Sequence, residues 1–225
     1  MDGLPLNPIG RTGLQGRGSL FRWGPNIYHY ILICRWKRDN YGRPFQHPSN
    51  GKKILEILLE MQTDHQQNSD LILTGGLRMI GSRFPPQLQD RLKRFLIQTG
   101  SISIFILFST IFSILLEKIF NDRKKTMSSV AALDQLFEQN PIAWKGAYFD
   151  DARNTDNAWI ELSIEYFFDS DHQFTSCIPD LHREQLNHLD QPRFVWKDVQ
   201  HTMQIGPRTH YHLIENLASK FDAYF

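Results

Sequence analysis

The stretch Trp159–Phe168, "WIELSIEYFF", alternates so regularly that it has one natural reading, a β-strand. Ile160, Leu162, Ile164, Tyr166 and Phe168 fall on one face, and Trp159, Glu161, Ser163, Glu165 and Phe167 on the other. A slip of one residue would turn the apolar set to solvent, so this strand demands a sheet and a core to cover it. Immediately before it stand Asp150, Asp151, Arg153, Asn154, Thr155, Asp156 and Asn157. A plain turn needs one or two such side chains. The crowding has two readings: groups held for a ligand, or a loop that hydrogen-bonds itself together.

The rest of the chain supplies neighbours for that strand. Ile27–Trp36 and Arg193–Val199 read as strands, and "LILT" (Leu71–Thr74) as a short one ending in Gly75 and Gly76. Lys52–Met61 fits a helix by its spacing and a buried strand by its length and flanking turns. Pro85 and Pro86 open a helix with Leu88, Leu92, Phe95 and Leu96 on one face. "SSVAALDQLFEQN" predicts a second helix, and "HYHLIENLASKFDAYF" a closing one with Leu213, Leu217 and Phe221 inward. Strands interleaved with few helices imply an α/β (α+β) chain with a mixed sheet. The glycine- and arginine-rich opening, "GRTGLQGRGSL", reads as irregular, and its glycines lack the spacing of a P-loop.

Composition narrows the function classes. A chain of 225 residues with 41% hydrophobic and 22% charged side chains can bury one sizeable core. A net charge of +1 provides no global field for nucleic acid. Cys34 and Cys177 form no C-x-x-C pair and no disulfide framework, which fits a reducing compartment. No secretory core or presequence pattern is visible in "MDGLPLNPIGRTGLQG". Ser101–Phe120 is apolar, but its uncharged run stops at Glu117, short of the roughly 18–20 residues of a membrane helix. His182 and His188 lack a metal-ligand spacing and read as surface residues.

Longer motifs carry a resemblance. "GRTGLQGRGSL", "RWGPN", "RWKRD", "LTGGL" and "KGAYFDDARNTDNAWIE" resemble the Nudix ADP-ribose pyrophosphatases of mitochondrial type. They are also similar to the C-terminal ADP-ribose-sensing domain of melastatin-type transient-receptor-potential cation channels. "DGLPLNPIGRTGLQGRGSL" leans towards the channel form. The resemblance implies a Nudix fold: residues 1–22 ending an N-terminal cap, and residues 23–225 forming a mixed sheet between helices. An atypical apolar insert interrupts it at about 99–127, either an unspliced intron translated in frame or a real excursion. The ligand implied is ADP-ribose, with Asp151 at its ribose hydroxyls and Arg153 at phosphate. Asn154, Gly75, Gly76 and His210 complete the implied ligand set. Asn154, with Thr155 and Asp156, also braces the loop. Arg11 and Arg17 are implied to be structural or close to phosphate. Ile27–Tyr28 replaces a family His-Thr pair, and Ala152 a family proline, so some contacts are altered. The channel form implies a partner, the rest of a tetrameric cation channel, and a place on the cytoplasmic side of a membrane. The enzyme form implies a mitochondrial location and Mg²⁺.

The catalytic pattern of that family is incomplete here. It needs several carboxylates on and before one helix to hold Mg²⁺ against the diphosphate. Counted from Gly76, the first acidic position is Ser82; on the helix, Phe95, Gln98 and Thr99 occupy the others. Between Gly75 and Leu116 the one carboxylate is Asp90, against Arg78, Arg83, Arg91, Lys93 and Arg94. Those cations read either as a solvated helix face or as phosphate ligands. The expectation is recognition of ADP-ribose without hydrolysis and without a cofactor. The alternative is a Mg²⁺-dependent diphosphatase yielding AMP and ribose 5-phosphate.

Overall fold

The structure is a computed structural model; it describes residues 3–63, 69–105, 129–178, 193–205 and 208–225. Strands β1 (Gly24–Trp36), β2 (Leu55–Thr63), β3 (Ser69–Leu73) and β4 (Gly75–Leu77) come first, then helix α1 (Pro86–Phe105). A helix whose described part covers residues 129–138, here α2, leads to β5 (Ile142–Phe149) and β6 (Ala158–Asp169). β7 (Arg193–Asp198) and α3 (Arg208–Lys220) close the chain.

All seven strands join one sheet along the path β3-β2-β1-β6-β5, with β4 on β1 and β7 on β2. The ladders β1·β2, β1·β4, β2·β3, β2·β7 and β5·β6 are antiparallel. β1 and β6 run the same way. The Gly24 N–H donates to the Asn157 carbonyl at 2.8 Å, and ten residues on in both strands the Cys34 thiol donates to the Phe167 carbonyl at 3.7 Å. The sheet is therefore mixed, as the sequence implies.

Two compact units divide the chain: Met1–Ile31, Gly75–Gln89 and Ile142–Tyr166 in the first, and Leu32–Thr74, Asp90–Pro141 and Phe167–Phe225 in the second. The first is built on Leu20, Ala158 and Ile160, with Tyr28 and Phe149 packed against them. The second holds β2, which settles the ambiguous segment: it is a strand. β7 pairs with Glu56–Met61, while β1 and β3 pair with Leu55–Ile57 and Leu59–Thr63. With neighbours on both edges, Ile57, Leu58 and Leu59 are fully buried in succession. Such a run shows no alternation, so only the sheet distinguishes it from a helix.

α1 buries the predicted stripe of Leu88, Leu92, Phe95 and Leu96. In the second unit Phe95 meets Phe194 edge to face at 5.4 Å. Two of the helix's cations are engaged there, Arg91 with Glu60 at 2.8 Å and Lys93 with Asp134 at 3.0 Å. The helix runs on through Ser101 to Phe105. Of the insert, residues 106–128 lie outside the described residues, as do His182 and His188. Among the described residues no helix is long and apolar enough to cross a membrane.

Two predicted faces shift. On α3 the fully buried stripe is Ile214, Leu217 and Ala218 together with His210, while Leu213 and Phe221 are half-buried. At the end of β6 Phe167 is buried as well as Tyr166. There Phe167 meets Phe137 of α2 at 5.3 Å while Phe168 packs on Phe221 at 4.5 Å, so both faces of the strand are covered. Local alternation assumed one wet face, and packing on both sides removes it.

Phe95→Ala is expected to cost roughly 3–5 kcal/mol by opening a cavity in this core. Exposed Arg94→Ala should stay within about 0.5 kcal/mol. Urea unfolding midpoints of the two variants separate these outcomes.

Candidate functional site

The polar loop before β6 is held by hydrogen bonds to itself, to the flanking strands and to the opening segment. Asn154 is buried, and its amide is used at both ends. Nδ2 donates to the Tyr148 hydroxyl at 3.0 Å and the Phe149 carbonyl at 2.7 Å, and Oδ1 accepts from the Ile160 N–H at 2.8 Å. It thereby clamps the end of β5 to the start of β6. Thr155 Oγ1 donates to the Gly16 carbonyl at 2.6 Å and accepts the Ala158 N–H at 2.9 Å. Asp156 Oδ1 accepts the Thr12 N–H at 2.6 Å, the Thr12 hydroxyl at 3.0 Å and the Gly13 N–H at 3.1 Å. These bonds hold the carboxyl of Asp156 below the usual carboxylate range. Asn157 Oδ1 accepts the Gly16 N–H at 3.2 Å. Thr155 to Asn157 thus staple the irregular opening segment to the loop. Gly18 takes a left-handed φ of +58° there, and a Cβ on it would lie 3.0 Å from Thr155 Cγ2.

Asp151 and Arg153 are the pair this brace leaves facing outward. Arg153 Nε donates to Asp151 Oδ1 at 2.7 Å and Nη2 to Oδ2 at 2.8 Å, a two-pronged fork. The Arg153 N–H adds a third bond to Oδ1 at 2.9 Å. The bonds from Arg153 hold the Asp151 carboxyl low against the opposing effect of burial, and Asp151 holds the guanidinium high. Both are partly exposed, at 17% for the Asp151 side chain and 39% for Arg153. The fork uses two of the five N–H donors of a guanidinium, so the remaining edge can meet another acceptor.

Tyr28 and Tyr30 extend this face along β1. Their rings lie 5.0 Å apart, and the Arg153 guanidinium stands 5.8 Å from the Tyr28 ring. Burial pushes the Tyr30 hydroxyl well above its ordinary value. The sequence marks position 28 only as a departure from a pattern; its ring gives the arginine an aromatic neighbour. Gly75 and Gly76 lie alongside, paired with Tyr30 and His29. A Cβ on Gly75 would sit 2.7 Å from Tyr30 Cδ1 and 2.8 Å from the His29 carbonyl, so only glycine fits beneath the tyrosine.

His29, absent from the sequence reading, is fully buried, and Nε2 stands 3.9 Å from Glu165 Oε2, beyond hydrogen-bond range. Burial and the nearby Arg78 and Arg83 push the imidazole down to about 4. Burial pushes the Glu165 carboxyl up, while the same arginines pull it down. No sequence pattern singled out either residue, because Glu165 reads as the solvent side of an alternating strand and His29 as one residue of a continuous apolar one.

Of the remaining expected site residues, His210 belongs to the second unit, buried in α3, with its imidazole pushed down to about 4 by burial. Arg11 and Arg17 are exposed, and Arg17 Nη1 donates to the Phe21 carbonyl at 2.9 Å. At the aligned acidic positions, Phe95 is core, and Thr99 Oγ1 donates to the Leu96 carbonyl at 3.1 Å. Among the described residues no cluster of three or more His, Cys, Asp or Glu side chains could hold a metal ion.

Comparison with known proteins places this arrangement. Residues 1–24 match a model described as the NUDT9-like, N-terminal domain. The chain is 30% identical over 228 residues to the mitochondrial ADP-ribose pyrophosphatase of Rattus norvegicus, covering 100% of this chain and 56% of that protein. It is 31% identical over 229 residues to the transient receptor potential cation channel subfamily M member 2 of Mus musculus, covering 99% of this chain and 12% of the channel. A member-like 2 channel of Nematostella vectensis is 34% identical over 168 residues, 75% of this chain and 9% of the channel. A mutT/nudix family protein from Listeria innocua superposes with a TM-score of 0.41 at 10% identity, covering 89% of this chain and 96% of that one. The chain is a homologue of the mitochondrial ADP-ribose pyrophosphatase and of the NUDT9-like domain of the melastatin channels. It spans a little over half of the enzyme and about a tenth of the channels.

Two outcomes follow from the loop. Asn154→Ala strips the partners of a buried amide and should lower stability by roughly 2–4 kcal/mol, measured by chemical denaturation. Because the Asp151 carboxyl is held low in the folded chain, its contribution is present above the unfolded value near 3.9 and lost as pH falls through the folded one. Asp151→Asn should therefore flatten the acid side of the stability curve and leave the slope above pH 6 unchanged.

Proposed function

We propose that this domain recognises ADP-ribose on the Asp151–Arg153 loop and does not hydrolyse it. The observation that carries the reading is the braced fork: a carboxylate that can accept ribose hydroxyls beside a guanidinium with donors left for phosphate. The Asn154 clamp fixes both before any ligand arrives, so little ordering entropy is lost on binding. Tyr28 offers an aromatic face next to the same arginine. Similarity to an ADP-ribose pyrophosphatase along the whole chain supports the ligand class.

The residues at the aligned box positions argue against turnover. A hard divalent ion takes anionic oxygen ligands, and Ser82, Phe95, Gln98 and Thr99 provide no carboxylate. Phe95 is committed to the core. These side chains do not fit Mg²⁺. Similarity to the melastatin channels supports the ligand-sensing role, with this domain joined to the rest of a cation channel on its cytoplasmic side. The competing reading, a Mg²⁺-dependent ADP-ribose diphosphatase in mitochondria, draws on the 30% identity to the enzyme along the whole chain.

ADP-ribose in EDTA should raise the unfolding temperature, by several kcal/mol of linkage at a large excess over Kd, and Arg153→Ala should remove most of that shift. With Mg²⁺ or Mn²⁺, AMP release followed by chromatography should not exceed the buffer control. Enzyme-proportional AMP would establish the diphosphatase instead, and no shift at millimolar ADP-ribose would sink the binding reading.

A further inference from the structure

Residues 5–19 contain neither helix nor strand, and Asn7 is the one buried residue among them. Their apolar side chains Leu6, Ile9 and Leu14 are exposed. The first apolar anchor is Leu20, which packs with Ala158 and Ile160. What holds the segment is therefore polar, and it converges on three consecutive residues, Thr155 to Asn157. Their side chains bind Thr12, Gly13 and Gly16. In addition, the Asn7 N–H donates to the Asp156 carbonyl at 2.9 Å and Asn7 Nδ2 to the Thr155 carbonyl at 3.0 Å. The Asp156 N–H donates to the Leu14 carbonyl at 2.8 Å, and Asn157 Nδ2 to the Pro5 carbonyl at 3.1 Å.

A segment fastened in this way can open without the core. Each exposed hydrogen bond contributes modestly, because water competes for the same groups. Against these bonds stands the entropy of ordering the segment, raised by Gly13 and Gly16, which take left-handed φ of +86° and +89°. No buried apolar side chain before Leu20 adds to the closed state. Opening as far as Leu20 therefore costs much less than unfolding the sheet behind it. The catch is Asp156, where one carboxylate oxygen gathers the Thr12 N–H, the Thr12 hydroxyl and the Gly13 N–H.

The other side of the catch is the loop that carries the fork. The Asn154 N–H donates to the Asp151 carbonyl at 3.0 Å, making residues 151–154 one turn that runs directly into Thr155. A Cβ on Gly18 would lie 3.8 Å from the Arg153 carbonyl, so the segment passes against the backbone of that turn. When the segment leaves, Thr155 loses the Gly16 carbonyl and Asp156 loses its three donors. Asn154 keeps Tyr148, Phe149 and Ile160, so the turn loosens without melting.

We infer that residues 5–19 form a reversible strap whose closure orders the 150–154 loop and thereby sets its affinity for ligand. Asp156 is a positioning residue in this device and acts through the strap. By linkage, a ligand seated on the loop holds the strap shut by the same factor as the strap favours the ligand. The binding half of the inference rests on the ADP-ribose reading; the coupling of strap to loop does not.

Hydrogen exchange followed by mass spectrometry on the full chain, without ligand, tests the coupling. Residues 5–19 should exchange together and faster than β6, whose slow exchange also checks that each variant is folded. Asp156→Ala should speed exchange both in 5–19 and in 150–154, with Asp156→Asn, which keeps an acceptor oxygen, in between. Thr12→Ala should act in the same direction and add little to Asp156→Ala, since both break one catch. As a control, Asp39→Ala removes a carboxylate that accepts the Tyr41 and Arg43 N–H groups in the second unit, and it should change neither region. In the binding arm, calorimetry in EDTA should show ADP-ribose weakened roughly five- to tenfold by Asp156→Ala. A purely electrostatic role predicts the opposite sign, because losing a carboxylate favours an anionic ligand. ADP-ribose should in turn slow exchange across 5–19 in the unaltered chain. Unchanged exchange of 150–154 in folded Asp156→Ala, or ADP-ribose binding that is equal or tighter once the strap is released, would overturn the proposal. No ADP-ribose binding by the unaltered chain would overturn the proposed function, and the exchange of 150–154 alone would then decide the strap.

Discussion

A buried asparagine organises the candidate site. Asn154 has two polar ends inside the protein, and each must find a partner or cost the fold more than a hydrogen bond is worth. Its partners come from the last residues of β5 and from β6. Once they are engaged, the loop between those strands has one conformation, and Asp151 and Arg153 stand at its open edge. Thr155, Asp156 and Asn157 repeat the device outward, each binding backbone of the segment before β1. The irregular opening of the chain, with little apolar surface of its own to bury, is held by these polar bonds.

This arrangement divides one stretch of sequence into a buried brace and an outward-facing pair. Asn154 and Thr155, in the buried half, bond to other groups of the protein. Residues in the exposed half are bonded to each other through a fork that still leaves donors free. Rigidity in the first half fixes the place of the second, so the Asp151–Arg153 pair stands preformed at the loop's edge.

The basic residues after Gly75 illustrate why charge in a sequence is hard to interpret. Five cations with a single carboxylate among them look uniform along the chain. In three dimensions α1 carries two of them to Glu60 and Asp134, which lie far away in sequence. The loop ahead of the helix brings Arg78 and Arg83 to Arg22, another cation. The first pairing is ordinary charge compensation. The second gathers like charges around one hollow, with Glu165 standing 3.8 Å from Arg83.

Periodicity and motif spelling determined much of this protein. The alternation of β6, the amphipathic stripe of α1 and the long apolar run of β1 are local signals, and each survives in the structure because its own residues create it. The motif around "DDARNTDNAW" was specific enough to point to the ADP-ribose-related relatives. Tertiary structure decided what depends on neighbours. Lys52–Met61 became a strand because partners lie along both of its edges, and Phe167 was buried because α2 covers the face expected to be wet. The division of the polar loop into clamp and fork, the burial of His29 beside Glu165, and the sorting of the arginines had no signal in the chain. Burial and hydrogen-bond satisfaction are properties of residues far apart in sequence and adjacent in space, and only the assembled sheet brings them together.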